Sequence, residues 1–266
     1  MYYRVGLSLR STHPSVVVMS TFSTNHLPNP TEDQITQTVK VFYEAFNRKF
    51  FLAALQDPTL VEPLIKSLVR ATIVGGQLHV VDSLAGIVGA TLCFGPGQRS
   101  LGSEEQKQQG FNQLMEKVNK DARRWFTEYF VGLSNYGVVA STSFSCVQVT
   151  IMLHDSVDRV HGPGVQDQNY HIQIFGVLPE YQGKGIGKTL LHHIEQKAKS
   201  ENADVVLETI QPRNVSIYEK LGYEVQGTTE FSHLGIPEPL KCWILRKRLT
   251  RPETFEVKSF DKLEFS

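Results

Sequence analysis

An α/β fold on a mixed sheet is predicted by three observations. After His171 the segments read strand, helix, strand, helix, strand, strand in close succession. A glycine-rich turn over residues 183–187 joins the first of those strands to the helix that follows it. Ahead of residue 95 the chain reads as two amphipathic helices and a hairpin.

The elements follow in order. Residues 1–31 carry Arg4 and Arg10 but no acid, are rich in Ser and Thr, and read as a disordered leader, or as an upstream start before one at Met19. Thr31 and Gln34 have the spacing of a capping box, and Ile35, Val39, Phe42, Phe46 and Phe50 then recur at helical spacing. A second helix is expected from Pro58 to about Val74, with Leu60, Leu64 and Leu68 on one stripe and Gly75-Gly76 ending it. Residues 77–81 and 87–94 read as a hairpin. Gly95-Pro96-Gly97 breaks the chain, and Ser103 with Gln106 opens one long helix running through Phe111, Leu114, Val118, Ala122 and Trp125 to Tyr129.

Residues 132–153 contain no Asp, Glu, Lys or Arg in a chain that is 20% charged, so the interval looks inserted. Two readings stand: translated non-coding sequence, or a genuine strand near 145–153 followed by an irregular loop to about 170. From there Ile172, Ile174 and Val177 are strand-like, 187–200 is helical, 204–209 is strand-like, and 214–221 is a short helix closed by Gly222. Residues 223–226 and 241–249 are two further strands, and 250–266 is a polar tail.

Composition excludes more than it identifies. Lys plus Arg and Asp plus Glu are each 27, so net charge offers no drive toward nucleic acid or an anionic membrane. No run of 18 apolar residues is present, which leaves no transmembrane helix. Cys93, Cys146 and Cys242 form no paired motif, read as buried small apolar residues, and suit a reducing, cytoplasmic setting. His192 and His193 are adjacent on a helix and so face different directions; with no zinc motif, no metal site is expected.

The informative segment is the loop from Val177 to Thr189. Gly183, Gly185 and Gly187 allow a tight turn and close ligand approach, and the helix behind them offers unpaired amides and its positive dipole end. That is a phosphate cradle, to which Lys184 and Lys188 add charge. A Walker loop needs Gly where Gln182 stands, and a dinucleotide fingerprint fails at Lys188 or Leu190, depending on where counting starts. The pattern Q/R-x-x-G-x-G/A is met by Gln182, Gly185 and Gly187.

With that loop, the strings Leu207-Glu208-Thr209 and Pro212-Arg-Asn214 through Tyr218 to Tyr223, and the ending Cys242-Trp243-Ile244-Leu245-Arg246, the chain resembles the GNAT superfamily of N-acetyltransferases. The likeness is specific over about residues 170–249; over 32–94 it rests on element order alone. Within the superfamily it is similar to the puromycin N-acetyltransferase subgroup. The resemblance implies a GNAT fold over about 32–249, a mostly antiparallel twisted sheet flanked by helices. It also implies acetyl-CoA as co-substrate and direct transfer to a small-molecule amine, with a peptide acceptor or a catalytically silent CoA-binding module as alternatives.

By that resemblance Gln182, Gly183, Lys184, Gly185, Ile186, Gly187 and Lys188 grip the pyrophosphate, and the Val177 backbone and Asn214 contact the pantetheine arm. Asn214 alternatively caps its helix. Tyr218 is the expected donor to the leaving sulfur, its alternative being a tyrosine packed on the sheet. Glu208 is the first candidate for general base, with a purely structural role as its alternative, and His171 is the second. The insertion bearing Trp125 and Phe126 corresponds to a place where relatives build the acceptor pocket; its aromatics alternatively belong to the core.

Overall fold

The computed structural model describes residues 22–46, 49–124, 160, 164–233 and 236–249. The capping box read at Thr31 is formed: its hydroxyl accepts from the Gln34 amide at 3.2 Å, and the Gln34 side chain accepts from the Thr31 amide at 2.9 Å. It opens α1 (Glu32–Ala45), whose Ile35, Val39 and Phe42 are buried. The helix does not continue to Phe50. It closes at Phe46, and Phe50 belongs to a separate α2 (Lys49–Leu55). Asp57 accepts from the Thr59 amide at 2.8 Å and starts a 3-10 turn (Pro58–Leu60) that runs into α3 (Val61–Gly75).

The hairpin is present as β2 (Gln77–Ser83) and β3 (Gly86–Phe94). The leader expected over residues 1–31 is corrected at its end. Ser23–His26 form β1, antiparallel to β2, and Leu27 donates to Leu78 O at 2.8 Å. Four polar residues carry no alternation, and an edge strand with a mostly exposed surface needs none.

The long helix expected from 103 to 129 is three short ones: α4 (Glu104–Lys107), α5 (Phe111–Lys117) and α6 (Lys120–Arg124). Gly110 breaks it with φ +114°, and Val118 breaks it again by turning extended. Trp125, Phe126 and the remainder of that helix lie outside the described residues, as do Cys146, the strand read at 145–153 and most of the 132–170 interval. Within that interval a short α7 (Val165–Gln168) is described.

β4 (Tyr170–Val177), α8 (Ile186–Ser200), β5 (Val205–Thr209), α9 (Pro212–Lys220), β6 (Glu224–His233) and β7 (Ile236–Lys247) follow the predicted order. α9 begins two residues earlier than expected because proline suits a first helical turn. β6 and β7 are longer than expected, extending along each other as a hairpin.

The described strands form one sheet in the order β1-β2-β3-β4-β5-β7-β6. All neighbours are antiparallel except β4 and β5. A Cβ on Gly176 would meet Ala45 and Phe42 of α1, whereas Gly187 of α8 abuts the Phe175 ring. Adjacent strand residues face opposite ways, so α1 and α8 cover opposite faces.

Two polar staples fix the sheet's lower end. Asp204, 2% exposed, accepts from Arg246 Nε at 2.9 Å, Arg246 Nη2 at 2.6 Å and the Leu249 amide at 2.7 Å. Asn169 Oδ1 accepts from the Asp204 amide at 2.7 Å, which joins the start of β4 to the start of β5.

At the other side, three imidazoles from β1, β2 and α8 meet. His26 stacks on His79 at 4.8 Å, and His193 approaches His79 edge-on at 5.1 Å. His79 is fully buried, and its Nδ1 has no partner among the described residues. Burial, then the nearby His26, His193 and Lys197, pushes His79 down to about 3 from 6.5. His26 and His193 are lowered too, burial again first.

The lowered folded-state value sets the sign: stability is fully present above about pH 6.5 and falls as the unfolded chain takes up protons that the folded chain refuses. From the His79 shift the loss by pH 5 is about 2 kcal/mol at 1.4 kcal/mol per unit. Urea unfolding at pH 7.5 and 5.0 measures it. His79→Leu is expected to flatten the dependence, and an unchanged slope would assign it to other groups.

Candidate functional site

The site is built where the parallel pair parts. β4 and β5 pair only at Tyr170↔Val205, His171↔Val206 and Ile172↔Leu207, although β4 runs on to Val177 and β5 to Thr209. On β4's other flank Leu92 stands opposite Ile174 and Cys93 opposite Ile172, so Gln173 is an extra residue, a β-bulge. The bulge resets the alternation. Ile172 packs in the cluster with Leu191 and Tyr218, and Phe175 meets Gly187, so residues three apart share the α8 face. Gln173 and Ile174 therefore fall on the α1 face.

The loop after β4 is held from inside. Gln182 Nε2 donates to Val177 O at 3.1 Å, so both residues expected at the cofactor are also bonded to each other. Lys184 Nζ lies 4.8 Å above the Tyr181 ring. Gly183 and Gly185 have φ of +75° and +81°, and a Cβ on either would project into open space. Gly187 is small for another reason: a Cβ would stand 3.3 Å from the Phe175 ring. Ile186 is buried and pins the turn, whereas Lys188 is exposed beside it. The first helical bond runs from the Thr189 amide to Gly185 O at 3.0 Å. The amides of residues 185–188, at the start of α8, have no acceptor in the preceding turn among the described residues. Open space, free amides and a helix's positive end together suit a phosphate group.

β5 ends beside this cradle, because parallel strands share one carboxyl end. Thr209 Oγ1 accepts from the Gln211 amide at 3.2 Å and from Asn214 Nδ2 at 3.4 Å. Asn214 is thus inside the first turn of α9 and is not its cap, which is Gln211. Tyr218, one turn on, is 8% exposed, lies in the cluster with Ile172 and Leu207, and meets the Tyr223 ring at 5.7 Å. Burial pushes its phenol up to about 12.

On the α1 face the two base candidates form one pair: His171 Nε2 lies 2.8 Å from Glu208 Oε2. Glu208 Oε1 is buried with no partner among the described residues, and so is Gln173 Oε1. Sequence reasoning missed Gln173 and Thr209. An amide between Ile172 and Ile174 looks like an ordinary alternating strand position, and the bulge that turns it leaves no composition mark. Cys93 and Cys242 are buried, with thiols raised mainly by burial. His192 and His193 do separate, the latter onto His79. Among the described residues, no group of three His, Cys, Asp or Glu side chains could hold a metal. A groove of about 550 Å³ over α1 and α3, lined by Tyr43, Glu62 and Arg70 among others, shares no residue with this site.

A sheet with one parallel pair that opens beside a glycine-rich helix start defines an acyl-CoA N-acyltransferase architecture. Residues 145–238 match the model of the acetyltransferase (GNAT) domain. The chain is 34% identical over 70 residues, 26% of its length, to a peptidyl-lysine N-acetyltransferase, YjaB, of Salmonella typhimurium, and spans about half (47%) of that curated relative. Among solved structures it is similar to a Corynebacterium glutamicum structure described as histone acetyltransferase HPA2 and related acetyltransferase (18% identity, 87% of this chain and 99% of that one, TM-score 0.50). It is also similar to arylalkylamine N-acetyltransferase 2 of Aedes aegypti (13% identity, 86% and 99%, TM-score 0.53). The fold is the GNAT fold, and over residues 145–238 the chain is similar to the GNAT acetyltransferase domain. They leave the puromycin N-acetyltransferase subgroup unassigned.

Gly185→Ala separates cradle from strain. Gly97, φ +74° with open space around its Cβ position, supplies the control. Each substitution should cost about 1–2 kcal/mol of stability. Only Gly185→Ala should weaken coenzyme A binding in calorimetry, by about tenfold, the worth of one charge-assisted hydrogen bond.

Proposed function

We propose that the chain is an acetyl-CoA-dependent N-acetyltransferase that acetylates a primary amine of a small molecule by direct attack in a ternary complex. One observation carries the reading: the parted β4 and β5 open at the same end as the amide cradle at the start of α8, residues 185–188. The cradle fits a pyrophosphate, with Lys184 and Lys188 flanking it, and the Val177 backbone and Asn214 line the way toward the parted strands. Bound acetyl-CoA supplies an acetyl group activated as a thioester.

The chain's own groups do the rest. The amine approaches from the α1 face, where His171 and Glu208 are paired. An ionised Glu208 can only accept, so it fixes the His171 proton on Nε2 and leaves Nδ1 as the proton acceptor. As the amine nitrogen bonds to the acetyl carbon and the carbon–sulfur bond breaks, His171 takes one proton from nitrogen and Tyr218 gives one to sulfur. Burial keeps the Tyr218 phenol protonated at neutral pH, as a donor must be. Glu208 is a positioning residue in this scheme.

The 34% identity to a peptidyl-lysine N-acetyltransferase favours one second reading, a lysine side chain in a peptide as acceptor. The Leu207-Glu208-Thr209 and Asn214-to-Tyr223 strings still favour the puromycin N-acetyltransferase subgroup, a likeness that leaves the acceptor itself to the test below. No helix among the described residues is long and apolar enough to cross a membrane. The three cysteines, which form no paired motif, are what support the cytoplasm as the site of action.

Thiol release from acetyl-CoA, screened over polyamines, amino sugars, amino acids, aminonucleosides and lysine peptides, tests the reading. Turnover is expected with at least one of them. Tyr218→Phe should then lower kcat by about 10²-fold with acetyl-CoA affinity unchanged. Coenzyme A binding with no turnover on any amine would mark a silent binding module.

A further inference from the structure

Two acceptor atoms at the opening of the sheet have no donor among the described residues. Gln173 Oε1 and Glu208 Oε1 are both buried. Buried oxygens are normally hydrogen-bonded, and an unmet one costs free energy, so each calls for an explanation. The other buried unpartnered side-chain atoms, on Thr24, His79 and Tyr223, lie on other elements. These two lie on neighbouring strands, each one residue past the last paired rung. His171, which Glu208 Oε2 contacts at 2.8 Å, is two residues before Gln173, and Leu207 at the final β4–β5 pair directly precedes Glu208. The bulge puts Gln173 on the α1 face with them.

Both vacant atoms accept, and on the carboxylate the charge is negative when ionised. The complementary ligand group has at least two N–H donors and a positive charge. We infer that Gln173 Oε1 and Glu208 Oε1 receive the N–H groups of the acceptor, which enters as a protonated primary alkylamine. The inference rests on the acetyltransferase reading and deepens it by naming the acceptor class and a residue that selects it. Gln173 cannot take up a proton at neutral pH, so it orients the amine and does not act as the base. Of the ammonium's three protons, His171 Nδ1 removes one and passes it to solvent, which frees the lone pair while the others bond to the two oxygens. A second leaves through His171 as nitrogen bonds to the acetyl carbon, and the amide keeps the third. Tertiary and quaternary amines lack these donors, and weakly basic arylamines lack the charge.

The test compares the unmodified protein with Gln173→Leu, which removes the oxygen at similar size, and Gln173→Glu, which keeps one. Probes are n-butylamine, its N,N-dimethyl analogue, spermidine, tyramine, aniline and a lysine peptide. Binding of each to the coenzyme A complex is measured by calorimetry, and turnover by thiol release. The expected result is that a primary alkylamine binds, that its dimethyl analogue and aniline do not, and that Gln173→Leu weakens amine binding and raises its KM about tenfold. The KM for acetyl-CoA and kcat should change little, and Gln173→Glu should restore the amine KM. Equal amine affinity in Gln173→Leu, or a loss of thermal stability with KM unchanged, would overturn the inference by making the amide structural. Failure of every primary alkylamine to bind the unmodified protein would overturn it too. Amine binding that depends on Gln173 without any thiol release would uphold it and sink the acetyltransferase reading alone.

Discussion

The pairing of β4 with β5 stops after three rungs, and most of what is specific about this molecule follows from that limit. A fully zipped parallel pair would use up its backbone groups and leave no passage through the sheet. Here β4 runs five residues past the last rung, at Ile172, to Val177 with no strand paired to its β5 flank among the described residues. Backbone groups left unpaired inside a sheet demand a partner. An extended ligand with amide groups of its own is a natural one. The bulge at Gln173 accompanies the parting on the β3 side, so the strand bends away just where the rungs end.

A gap in a sheet is stable only if the strands are fixed elsewhere. The lower ends are fixed by Asp204, which gathers Arg246 and the Leu249 amide and is itself met by Asn169. Lys247 with Glu195 at 2.7 Å, and Tyr170 donating to Glu201 at 2.6 Å, tie the same end to α8. The Tyr170 contact helps hold the Glu201 carboxyl below its ordinary value, the hydrogen bond being the largest cause. Such buried pairs are weak evidence for net stability, since desolvation offsets much of the attraction. What they supply is position: they close the sheet at one end and leave it open only at the other.

Much of this was legible, and the boundary between what was and what was not is physical. Capping at Thr31, the β2–β3 hairpin and the order of the last six elements rest on local rules, and local rules held. The cradle was legible because glycines at 183, 185 and 187 mark backbone conformation and close packing directly. Failures came where tertiary contacts decide. β1 exists because β2 offers an edge, not because Ser23–His26 prefer extension. The helix expected through residue 129 broke at Gly110, whose backbone approaches Ser67 of α3, a contact no spacing reveals. His171 and Glu208 stand 37 residues apart and were weighed as rivals; parallel pairing makes them one unit.

The sheet also sorts the chemistry by side. On the α8 side Tyr218 packs with Ile172 and Leu207, the last paired residues of the parted strands, buried and held protonated, suited to giving a proton. On the α1 side stand groups that only accept or are oriented to accept: the Glu208 carboxylate, the Gln173 amide oxygen and the His171 ring. A group-transfer reaction that strips a proton from an incoming amine and returns one to a departing thiol needs this separation, since an acid and a base in direct contact would neutralise each other. The overall charge, 27 basic against 27 acidic residues, hides the arrangement completely. In the proposed reading a polyanionic cofactor is met by backbone amides and a cation by two oxygens, so neither would need a net charge on the molecule.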